Sequence, residues 1–175
     1  MIPTDQELDL EIQQLQQLGW NNGGFFTFFT IPNENNEEPF HVMRNFLLDE
    51  ERIMKNFVAS FPVSEKIARL KKDMELFKLL ILDDWEHTTK EKLLEWMEFK
   101  NHYSPPSIDE KAMEEGVKHF LKNLKMYLTE NQLATSYLID EHFDNYYTPW
   151  GDQMGHDLVY EVKDKIHVLH FGWSS

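Results

Sequence analysis

The sequence predicts a single α+β domain, with strands contributed by both ends of the chain and a run of helices between them. Three observations carry that expectation. Phe25 to Ile31 near the N-terminus and Leu158 to His170 near the C-terminus have strand character, by aromatic and Thr content in the first and by alternation in the second. Between them, apolar residues recur at helical spacing behind capping residues. No internal repeat, heptad array or linker divides the chain, so residues 1–175 read as one domain of ordinary size.

In order, Thr4-Asp5-Gln6-Glu7 is a capping box opening a helix over about 5–18, with Leu8, Ile12 and Leu15 on one face and Gly19 as a C′ residue. Asn21-Asn22-Gly23-Gly24 is turn chemistry. The strand over about 25–31 has apolar residues on both faces, so either it is covered on both sides or one face meets a partner, and burial within the domain is the favoured reading. A polar, acidic loop, Pro32 to Pro39, follows; about 40–48 reads either as a second strand or as the start of a helix, and the loop length, which suits a hairpin, favours the strand. Asp49 caps a helix to about Ser60, and Ser64 caps another over about 65–82. Thr88-Thr89-Lys90-Glu91 and Ser107-Ile108-Asp109-Glu110 predict helices over about 89–101 and 108–128, and Thr129 one from about Glu130 to Phe143. The last pair of strands, about 158–162 and 166–170, forms a hairpin around Lys163-Asp164-Lys165. A three-residue loop would set Val162 opposite Ile166 and Tyr160 opposite Val168.

Charge separates the ends from the middle. The net charge is −14, yet residues 52–139 hold fourteen acids and fourteen bases. Residues 1–51 hold ten acids against Arg44 alone, and residues 140–164 hold seven against Lys163 alone. If strands from both ends share one sheet, the two acidic segments meet. Such a field disfavours direct contact with nucleic acid or anionic lipid, because phosphate contacts need Lys and Arg. The longest apolar run, Leu79 to Leu82, is far short of a membrane span. The absence of Cys and of a basic, apolar leader point to a cytoplasmic protein.

No phosphate-binding Gly-rich loop, dinucleotide Gly pattern, zinc-peptidase His-Glu pair or Gly-x-Ser-x-Gly elbow is present, and a Cys nucleophile is excluded. Two features remain. His142, Asp144, Asp152, His156, Asp157, His167 and His170 fall close together in sequence and carry ligand chemistry, but at spacings that match no metal motif. His167 and His170 also point to opposite faces of a strand, so no metal or cofactor is expected. The loop Tyr146-Tyr147-Thr148-Pro149-Trp150-Gly151-Asp152 has the composition of a recognition surface. The expected function is therefore that of an inhibitor or immunity-type binding protein rather than an enzyme. It would use an acidic, aromatic-containing face for a basic partner protein such as a nuclease. The expected contact residues are Asp144, Tyr146, Tyr147, Trp150, Asp152 and Asp157 with Glu34, Glu37 and Glu38. The alternatives are a small metal-dependent enzyme using the His/Asp cluster, and a helper subunit of a larger assembly.

Overall fold

A computed structural model of the chain describes residues 1–49, 51–52, 63–140 and 154–173. In chain order the elements are α1 (Asp5–Gln16), β1 (Gly24–Pro32), α2 (Pro39–Leu47), α3 (Val63–Asp73) and β2 (Lys78–Ile81). Then come α4 (Trp85–Glu98), α5 (Glu110–Glu130), β3 (Thr135–Asp140), β4 (Met154–Val162) and β5 (Lys165–Trp173). The strands form one antiparallel sheet in the order β1-β5-β4-β3-β2. The class is α+β.

Strands from the two ends of the chain do pair. β1 lies along β5 for its full length, from Gly24 opposite Trp173 to Pro32 opposite Lys165. Both faces of the sheet are covered, as the two apolar faces of β1 require. On one side Phe26, Phe28, Leu158, Tyr160, Leu169 and Phe171 meet Leu8 and Ile12 of α1, Trp96 of α4 and Phe120 and Leu124 of α5. On the other, Ile31, Val159, Ile166 and Val168 meet Val42, Met43 and Leu47 of α2, with Met74 and Phe77 from the turn after α3.

Four local expectations are corrected. Residues 40–48 are not a strand. Pro39 takes the first helical position, where its missing N–H costs nothing, and Val42, Met43 and Leu47 bury one face of α2. The helix expected over 65–82 stops at Asp73, because Lys78 to Ile81 pair with β3. The helix expected from Glu130 is β3 over its described part: α5 runs through Glu130, and Thr135 then pairs with Glu161. The hairpin is present, but its loop has two residues, Lys163 and Asp164. Val162 therefore faces Lys165, and Tyr160 faces His167 rather than Val168. Alternation chose the wrong register because β5 is buried on both faces from Ile166 to Gly172, so a one-residue slip exposes nothing. The Thr4 capping box forms, and Asp49 accepts the Arg52 N–H as a cap does. The rest of the helix expected to Ser60 lies outside the described residues. For α4 and α5 the caps are Asp84 and Asp109, rather than the threonines and Ser107.

Candidate functional site

The Pro32 end of the sheet gathers acids from both ends of the chain. Where β1 ends, Asn33 ties the following loop down on two sides. Its N–H donates to the carbonyl of Asp164 in the hairpin turn at 2.8 Å. Its side chain accepts from Glu37 N–H at 2.8 Å and donates to the Glu37 carbonyl at 2.9 Å. Asn36 takes φ 51, a left-handed value that Asn tolerates. Glu34, Glu37 and Glu38 are exposed on this anchored loop.

Around it stand further acids. Glu161 of β4 accepts the Tyr137 hydroxyl at 2.9 Å. The pKa of Tyr137 is raised, first by burial, then by the bond to Glu161 and its charge, with Glu38 adding to the same field. α1 begins at this end too: Thr30, two residues before the end of β1, donates its hydroxyl to Asp5 at 3.3 Å, and Glu7 of the capping box is exposed. Lys163 and Lys165 flank Asp164 on the hairpin and offset part of this charge. The result is an acidic end with a half-buried tyrosine in it.

The structure redistributes the expected contact residues. Asp157 does not belong to a surface. It is fully buried on the α2 side of the sheet, opposite His170, whose Nδ1 lies 2.8 Å from its carboxylate. Its charge is also felt by the half-buried Arg52, which donates from Nε and Nη2 to the carbonyls of Phe46 and Leu47 at the end of α2. Asp144, Tyr146, Tyr147, Trp150 and Asp152 lie outside the described residues. The residues bordering them, Asp140 and Met154, stand at the Gly24–Trp173 end of the sheet, opposite the Glu34–Glu38 loop. A nine-residue strand separates the two ends by about 30 Å. Comparison with protein-family models, curated proteins and solved structures finds no match.

The sheet divides the histidine cluster. His156 and His167 face α4 and α5, and His170 faces the other way. His156 accepts the Trp96 indole N–H at 3.1 Å, and its pKa is lowered, chiefly by burial. His167 stacks on Phe28 and sits between Thr30 (2.9 Å) and Tyr127 (3.4 Å). Among the described residues no three His, Asp or Glu side chains gather as a metal site would need. His142 lies outside them.

Tyr137 and Glu161 were missed as site residues because Tyr137 fell in a segment read as helix. A second feature left no signal in the sequence. At the other end of α1, a cavity of about 340 Å³ lies between Trp20, Ile108 and Met113, rimmed by Glu98, Glu110 and Glu114. Lys100 sits over the Trp20 ring there, Nζ 4.3 Å from its centroid.

Proposed function

We propose that this is a binding protein whose acidic end takes a basic partner protein, as an inhibitor or immunity-type protein of a basic enzyme such as a nuclease would. The observation that carries the reading is the β1–β5 pairing. It places Glu34, Glu37 and Glu38 from the N-terminal segment beside Glu161 and Asp164 from the C-terminal one. Three exposed carboxylates on a loop held by Asn33 are presented with little ordering cost on binding. Tyr137, with its hydroxyl held by Glu161, offers an aromatic surface among them. Trp150, Tyr146 and Tyr147, with Asp144 and Asp152, are proposed only as a separate set of contacts, since the described residues that border them stand at the other end of the sheet. Asp157 takes no part, being buried. Among the described residues no helix is long and apolar enough to cross a membrane.

The test is affinity capture by the full chain, with the Glu34→Gln/Glu37→Gln/Glu38→Gln variant as a parallel bait. The expected result is a basic protein retained at low salt, weakened at physiological salt, and largely lost with the triple variant. Retained proteins that are acidic, or that ignore both salt and the triple substitution, overturn the reading.

A further inference from the structure

Trp20 stands in a cavity whose charges the chain leaves unbalanced. Its backbone is fixed on both sides: the N–H donates to the Met97 carbonyl, and the carbonyl accepts the Ser104 hydroxyl at 2.8 Å. The half-buried ring is thereby held as one wall of the cavity of about 340 Å³, and buried Met113 extends the apolar lining. A volume of this order suits a small molecule. The ring already takes a cation, since the exposed Lys100 sets its ammonium 4.3 Å from the ring centroid. Three carboxylates, those of Glu98, Glu110 and Glu114, line the same cavity. Among the described residues none of the three meets a Lys, Arg or His within ion-pair distance, Lys100 included. Glu110 and Glu114 stand one turn apart at the start of α5, where the helix dipole favours acids. Glu98 has no such support. It is the last residue of α4, at the negative end of that dipole, and no base stands in that turn to offset it.

We infer that this cavity binds a small aliphatic diamine, with one ammonium on the Trp20 face in place of Lys100 and the other against the carboxylates. Three carboxylates against one ammonium leave the lining negative, so a ligand with two positive charges answers it better than one with a single charge. The spread of those charges selects a diamine over a metal ion. Among the described residues no three acids gather as metal ligands must. Here they are set around an apolar wall, which the alkyl chain between two ammonium groups covers. Lys100 is the resident cation: its stem is flexible and exposed, so it leaves the ring at little cost when a second ammonium arrives.

Calorimetric titration of the full chain with diaminobutane at physiological salt tests the inference. Saturable binding of one diamine per chain is expected, with the Trp20 ring resonances shifting in NMR spectra as it binds. Glu110→Gln/Glu114→Gln should weaken binding about fivefold or more, as the loss of two exposed charge pairs would. Asp109 caps α5, so this double variant keeps the helix start. Lys100→Gln removes the competing ammonium and should tighten binding. Butanediol, which lacks the charges, and magnesium ion, which lacks the chain, should each bind more weakly than the diamine. No saturable binding, a magnesium affinity that matches the diamine, or weaker binding by Lys100→Gln overturns the inference. So does an equal loss in Glu34→Gln/Glu37→Gln/Glu38→Gln, which would mean diffuse attraction to a chain of net charge −14. None of these results touches the acidic end, whose test reads a captured protein.

Discussion

His167 shows how one residue ties the fold to pH. The Thr30 hydroxyl spends its proton on Asp5, so the imidazole Nδ1–H donates to Thr30 and Nε2 accepts from Tyr127. That arrangement requires a neutral ring. Burial lowers the His167 pKa to about 4, Lys165 helps, and Asp5 opposes. The unfolded chain protonates this ring below about pH 6.5 and the folded chain does not, so stability is full above that value and falls towards about pH 4. The drop across that window is about 3 kcal/mol for this group alone. Urea titrations at pH 7 and pH 5 should show it, and His167→Gln should flatten the slope, leaving the smaller share from His156, whose pKa is also lowered. An unchanged slope in His167→Gln would count against this account. Tyr160 is a second case. Thr89 donates to the Trp85 carbonyl at 2.6 Å, so the fully buried Tyr160 hydroxyl must donate to Thr89, 2.8 Å away. Thr89→Val strands that hydroxyl and should cost about 1–3 kcal/mol, read as a shift in the urea midpoint without a change in slope.

At the scale of elements, close approach matters more than propensity. Gly19 was expected to end α1 in a left-handed conformation, but Gly23 is the described glycine with positive φ. Gly19 is required for another reason: a Cβ there would lie 2.6 Å from the Met97 carbonyl oxygen and 2.9 Å from its Cα, against the backbone of α4. Gly116 of α5 would meet only the mobile ends of Leu15 and Leu18. Gly19→Ala should therefore destabilise by about 1–3 kcal/mol. Gly116→Ala should change stability by less than about 1 kcal/mol, since its helix propensity gain offsets the contact. Thermal unfolding of both variants decides it, and equal losses would contradict the packing argument. The same scale explains what the sequence made legible. α1, β1, α5 and the terminal hairpin carried strong local patterns: a capping box, an apolar stripe, alternation. β2 and β3 did not. Phe77 and Ile81 continue a helical stripe from α3, and Tyr137 and Ile139 follow a Thr that can cap, so only their mutual pairing makes them strands. Residues 40–48 failed because loop length was read as a hairpin while Pro39 signalled a helix start.

Over the whole molecule, the pairing of β1 with β5 brings the loop of Glu34, Glu37 and Glu38 to the end of the sheet that holds Glu161 and Asp164, while the residues that border Asp144 and Asp152 stand at the opposite end. Part of the acidic site was visible in sequence as Glu34, Glu37 and Glu38. Their neighbours Glu161 and Tyr137 were not, because they arrive from strands whose pairing is non-local. Asp157 was misplaced for a related reason: it sits in the middle of β4, inside the sheet with both faces covered, and is buried and paired there beside His170 and in the field of Arg52, whereas Glu161 near the end of the same strand is not buried. The most direct measurement of the central claim is the association rate of the chain with its captured basic partner, taken from low to physiological ionic strength. The account predicts a fall of about tenfold or more for the native chain, and a slower, flatter profile for Glu34→Gln/Glu37→Gln/Glu38→Gln with little change in dissociation. A rate independent of salt, or a triple variant that binds as fast as the native chain, would contradict it.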